Sequence, residues 1–154
     1  EIFDIPGNAK LDKAEREIRS QSYYTPFHAA VAKAISDRSD PILVTVHSFT
    51  PVYHGAARTV EIGVLHDRDA RLADAMLDAA DRAGAQNVRR NDPYGPEDGV
   101  THTLRKHALP GGHLNVMLEV RNDLIADAAA QDDMAKRLGD WLESALSTTG
   151  AAAC

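Results

Sequence analysis

No stretch constrains this chain more than the eleven residues running from Pro41 through Ile42-Leu43-Val44-Thr45-Val46-His47-Ser48-Phe49-Thr50 to Pro51. Ile42 to Val46 is a β-branched and apolar run with a proline before and after it, which predicts a short strand buried on both faces, as in a parallel sheet. His47 and Ser48 follow at its carboxyl end. In open α/β sheets ligands bind at that end of the strands, so an imidazole there is placed for chemistry. The same imidazole could equally serve to tie down a neighbouring loop through a hydrogen bond.

The rest of the chain supplies partners for such a strand. Lys10 to Arg19 predicts a short surface helix, and Thr25-Pro26 reads as an N-cap followed by proline at the first helical position of a second helix reaching about Arg38. After Pro51, residues 52–58 form a loop long enough to fold over the strand end. Thr59 to Leu65 predicts another strand, in which Gly63 suggests close backbone approach. Asp69 can cap a helix through Ala83, with Leu72, Ala75, Met76 and Ala79 as its apolar stripe and Gly84 closing it. Asn87 to Arg90 reads as a short strand, and a short helix begins near Thr101. Leu114 to Val120 is the second strongly apolar strand, and a closing amphipathic helix spans about Gln131 to Ser147.

Strands alternating with helices predict an α/β fold, a three-layer α/β/α sandwich with a largely parallel sheet. The length of 154 residues suits one domain, expected over residues 1–147 with a flexible tail at 148–154. The opening Glu1 in place of a methionine, and Ile2 to Pro6 reading as the middle of a longer stretch, suggest that this is the carboxyl-terminal part of a longer domain.

Composition narrows the chemistry. A net charge of -6 without a basic run argues against nucleic acid, and no apolar stretch approaches the roughly 20 residues of a membrane helix. The single cysteine, Cys154, permits neither a disulfide framework nor a cysteine metal cage, and fits a cytoplasmic setting. Seven histidines invite a metal reading, yet no H-E-x-x-H motif occurs, and His66-Asp67-Arg68-Asp69 is the nearest approach to a ligand pair. His54, His102, His107 and His113 read as surface or packing residues, with His107 the strongest exception. A G-x-S-x-G elbow is absent, so Ser48 beside His47 makes no triad.

Glu119 is the second informative residue, because its apolar strand delivers a carboxylate to the same edge of the sheet. It reads either as a general base that later returns the proton or as the partner of Arg121 or Arg58 in an ion pair. Those arginines are in turn either carboxylate-binding groups or solvated surface charges.

Together, His47-Ser48-Phe49-Thr50-Pro51, Gly55, Arg58, the Glu61–Leu65 strand, Asn91-Asp92-Pro93-Tyr94 and the segment from Glu119 to Ile125 resemble the N-formylglutamate amidohydrolase family, over about Pro6 to Trp141. More distantly, a strand ending in His-Ser and a later one ending in Glu-x-Arg are similar to the zinc carboxypeptidases and aspartoacylases. The resemblance implies a zinc-carboxypeptidase-like fold and a Zn2+-dependent amidohydrolase that cleaves an acidic N-acyl amino acid, a small-molecule substrate such as N-formylglutamate. It implies His47 as a metal ligand and Glu119 as the carboxylate that activates water and protonates the leaving amine. Arg58 and Arg121 become candidates for binding substrate carboxylates, and Tyr94 for a polar contact. The family's other metal ligands and its Asn-Arg pair have no match before His47 here. A binding or structural domain that keeps the fold without catalysis is the alternative.

Overall fold

The computed structural model describes residues 7–150, and the chain falls into two compact units, 1–41 and 42–154. In the first, α1 (Lys13–Arg19) opens on a reciprocal cap. The Asp12 carboxylate accepts from the Glu15 amide at 2.8 Å, and the Glu15 carboxylate accepts from the Asp12 amide at 3.1 Å. No residue of α1 is buried, as a surface helix requires. A π-helical turn, Ser20–Tyr24, then leads directly into α2 (Thr25–Ser36). Thr25 is therefore not the expected N-cap: it is itself helical, at φ −63°, and its amide donates to the Ser20 carbonyl. The physical reason lies in Pro26, which lacks an N–H and whose ring crowds the carbonyl four residues back. A wider turn just before it shifts the hydrogen-bond register, and the helix passes through.

The second unit carries β1 (Leu43–Phe49), β2 (Val52–Tyr53), β3 (Ala56–Ala57), β4 (Ile62–Leu65), α3 (Arg71–Arg82), β5 (Val88–Arg90), α4 (His102–His107), β6 (Asn115–Arg121) and α5 (Ala128–Thr149). Its sheet has the order β1-β6-β4-β5. The β1/β6 and β4/β5 pairs are parallel, and β4 runs antiparallel to β6. The sheet is thus mixed and mostly parallel, in an α/β fold.

Alternate residues of the strands feed two cores. Val64, Val116, Leu118 and Val120 face α3 and α5, where Leu72, Met76, Leu138 and Trp141 complete the larger one. Each such side chain contributes roughly 1.5–3 kcal/mol by leaving water. On the opposite face Leu65 and Met117 pack with Leu104 of α4, flanked by Leu43, Tyr94 and Val100. Helices on both faces make three layers in this unit.

Several boundaries differ from the sequence expectation. Strand β1 continues through His47 and Ser48 to Phe49, and it is not buried on both faces: Val46, His47 and Ser48 are exposed. Among the described residues β1 is an edge strand, so it pairs on one side only. Residues 52–58 are not an open loop but the β2–β3 hairpin. His54 and Gly55 at its tip have φ of 48° and 79°, the two positive values that a type I′ turn needs to match strand twist. The strand expected from Thr59 begins at Ile62. Helix α3 starts at Arg71, so Asp69 caps it from one position further out, accepting from the Arg71 amide at 3.1 Å. Helix α5 extends past Ser147 to Thr149, overlapping the expected tail; residues 151–154 lie outside the described residues.

Candidate active site

Strand register builds the site. His47 of β1 lies opposite Glu119 of β6, and Glu119 lies opposite Gly63 of β4. Neighbouring strands are about 4.8 Å apart and register partners project to one face, so the imidazole and the carboxyl group emerge side by side. Their surroundings differ. His47 is exposed, whereas Glu119 retains 4% of its accessible surface.

Gly63 explains part of that burial. A Cβ at this position would overlap the carbonyl oxygen of Asp92, so only glycine admits the loop that crosses the sheet here. That loop begins at Asn91, in left-handed conformation at φ 47°. Its amide donates to the Val64 carbonyl at 3.2 Å and its side-chain oxygen accepts from the His66 amide at 2.9 Å. The chain then doubles back over Gly63, and Tyr94 joins the smaller core beside Met117.

The two candidate arginines are held in different ways. Arg121 is two residues beyond Glu119 on the same face, but its guanidinium is committed. Nε donates to Asp123 Oδ1 at 2.8 Å and Nη2 to Oδ2 at 3.3 Å, while Nη1 donates to the carbonyls of Arg58 and Val60 at 3.2 and 3.3 Å. The Arg121 guanidinium holds the Asp123 carboxyl below the usual carboxylate range through those hydrogen bonds. Arg58 is held by rings instead. Its Cζ lies 4.5 Å from the Tyr53 ring centre, 5.0 Å from that of Tyr94 and 5.5 Å from that of Phe49. Nη1 reaches the Thr50 carbonyl at a long 3.4 Å.

Of the residues singled out from sequence, the fold therefore pairs His47 with Glu119 and brings Tyr94 against Arg58. Arg121 shares their face in an ion pair with Asp123. The His66-Asp67-Arg68-Asp69 segment lies at the other edge, because β4 runs antiparallel to β6 and Leu65 pairs with Met117. Arg90 can only donate, and Nη1 lies 3.1 Å from His66 Nε2, so that nitrogen accepts and Nδ1–H donates to the Asp67 carbonyl at 2.7 Å. His107 sits at the end of α4, where burial, then Lys106 and His102, hold its imidazole below the ordinary histidine value. Among the described residues, no three His, Cys, Asp or Glu side chains gather to hold a metal ion. None of the described helices is long and apolar enough to cross a membrane.

Tyr53 is the site residue that sequence reading missed. The available signal was local: a hairpin tip at His54-Gly55 pairs Tyr53 with Ala56, which makes Arg58, two residues on, its diagonal neighbour on one face.

The sequence model of the N-formylglutamate amidohydrolase family matches residues 2–126, a span that contains His47, Arg58, Tyr94, Glu119 and Arg121. This chain belongs to that family. The product of gene Atu2144 of Agrobacterium tumefaciens, known from a crystal structure, is 58% identical, with a TM-score of 0.89 over 96% of this chain and 60% of its own. The crystal structure of N-formylglutamate amidohydrolase from Ralstonia eutropha is 21% identical, with a TM-score of 0.58 over 92% of this chain and 55% of its own, a likeness of fold. The chain thus spans less than two thirds of either relative. No curated protein matches it.

Proposed function

We propose that this member of the N-formylglutamate amidohydrolase family contributes His47 and Glu119 to hydrolysis of the amide bond of a small, acidic N-acyl amino acid, N-formylglutamate being the substrate that the family name indicates. The observation that carries the reading is the register of β1 with β6, which sets an exposed imidazole beside a buried carboxyl group on one face. In this reaction Glu119 takes a proton from a water molecule as its oxygen attacks the formyl carbon. The C–N bond then breaks, and Glu119 returns the proton to the departing nitrogen, leaving formate and glutamate. One residue serves as base and then as acid, so no further proton donor is needed.

The family likeness also supports zinc with His47 as one ligand. The described residues alone do not fit such a site, since no group of three ligands forms among them. No step above is routed through the ion. That same shortage of ligands favours the second reading, a domain that keeps the fold without turnover.

Formate release from N-formylglutamate separates the two readings. Turnover by the wild-type protein that falls about 10²- to 10⁴-fold in Glu119→Gln, with the circular dichroism spectrum unchanged, is the expected outcome. A Glu119→Gln variant as active as the parent overturns the assignment. His47→Ala is expected to lose bound zinc, measured by metal analysis of the purified protein.

A further inference from the structure

We infer that Arg58, and not Arg121, receives the carboxylate of the substrate, and that Tyr53 of the β2–β3 hairpin is the residue that positions it. The inference takes its substrate class from the amidohydrolase reading.

The argument turns on how each guanidinium is used. A guanidinium has five N–H donors in its plane and two faces without any. In Arg121 four hydrogen bonds go to Asp123 and to two backbone carbonyls, so a bidentate substrate carboxylate would have to displace an existing ion pair. In Arg58 the contacts come from ring systems, with Tyr53 nearest at 4.5 Å. Aromatic contact restrains the long side chain and leaves N–H donors for a bidentate carboxylate, the pairing that arginine makes best.

Placement agrees. Phe49, which touches Arg58, pairs with Arg121, one same-face step beyond the His47–Glu119 row. That step is about 6.6 Å along a strand, within the span of a small N-acyl amino acid. The Arg58 backbone is fixed there as well, since its amide donates to the Pro51 carbonyl at 2.8 Å and its carbonyl accepts from Arg121. Arg121 thereby supports the segment that carries Arg58. Tyr53 is held in turn by the tight turn and by the His54 ring, 4.2 Å away centre to centre. Its part in binding is to narrow the positions that the Arg58 side chain explores before substrate arrives.

Two measurements on the full chain test this. In the first, glutarate is titrated into the protein while the arginine Nε–Hε resonances are followed by NMR. The Arg58 resonance is expected to move and that of Arg121 to stay. The affinity should fall about tenfold in Tyr53→Ala and hold in Tyr53→Phe, which keeps the ring. In the second, steady-state hydrolysis of N-formylglutamate should show KM raised about tenfold in Tyr53→Ala with kcat within about twofold, and both parameters restored in Tyr53→Phe. A glutarate response at Arg121 instead of Arg58 overturns the inference, as does a Tyr53→Phe variant no better than Tyr53→Ala. Glutarate binding at Arg58 without any hydrolysis leaves the clamp standing and removes the amidohydrolase reading. Hydrolysis without a response at Arg58 does the reverse.

Discussion

Strands β1 and β6 are neighbours in parallel register, and both carry an apolar run that ends in a residue of chemical interest. Their side chains nevertheless meet opposite surroundings. Val46 and Leu118 occupy the same row on the same face, yet Val46 is 63% exposed and Leu118 2%. In the adjacent row on the other face, His47 is exposed and Glu119 is buried. The contrast comes from position in the sheet: among the described residues β6 has a strand on each side and a core on each face, whereas β1 has one neighbour, with Val44 packed against the larger core and Leu43 against the smaller. Burial is set by a residue's neighbours in space, and apolar sequence alone is a poor guide to it. For the proposed chemistry the asymmetry is useful, since the proton carrier sits in a water-poor setting and the imidazole stays accessible.

The contrast can be broken from either strand. Leu118→Ala should cost about 2–5 kcal/mol in urea denaturation, because α3 and α5 cannot collapse into the space it leaves. Equal tolerance at Leu118 and Val46 would show that β6 is not interior. Gly63→Ala comes next: the added methyl meets the Asp92 backbone rather than a flexible side chain, so a loss of about 1–3 kcal/mol is expected, together with a displaced Tyr94. A variant as stable as the parent would mean that the loop does not lie on Gly63. At the edge, Val46→Ala should change stability by less than about 0.5 kcal/mol. A larger loss would indicate that β1 is covered in solution.

A pH-dependent effect belongs to the other end of the strands, beyond the carboxyl end of β4. Hydrogen bonds from Arg71 hold the Asp69 carboxyl below its ordinary value against the opposing effect of burial. A carboxyl with a depressed folded value contributes stability above its unfolded pKa, and that contribution disappears as pH falls through the folded value. Asp69→Asn should therefore flatten the acid limb of the stability profile, by no more than about 1 kcal/mol because Arg71 is more than half exposed. Thermal melts of both proteins between neutral and strongly acid pH check the sign.

Much of this could be read along the chain. The runs Ile42–Val46 and Leu114–Leu118 lie within or overlap strands β1 and β6, and of the stripe Leu72, Ala75, Met76 and Ala79 all but the partly buried Ala75 are buried on α3. Gly63 could be recognised as a candidate for close approach because that, with bulges and tight bends, is what a glycine inside a strand marks. The hairpin tip and the continuous helix through Thr25-Pro26 were harder to see. Each depends on a backbone register that local propensity does not specify, a type I′ turn in one case and a π turn in the other.

The sequence by itself determined the alternation of strands and helices, the family, and the presence of His47 and Glu119 on two apolar strands, since hydrophobic periodicity and motif order are written residue by residue. Only the tertiary structure decided that these two share a row, that β4 turns its carboxyl end away, and that Arg121 is occupied while Arg58 is framed by rings. Those outcomes join residues tens of positions apart through strand register and packing, and such pairings exist only once the sheet has formed.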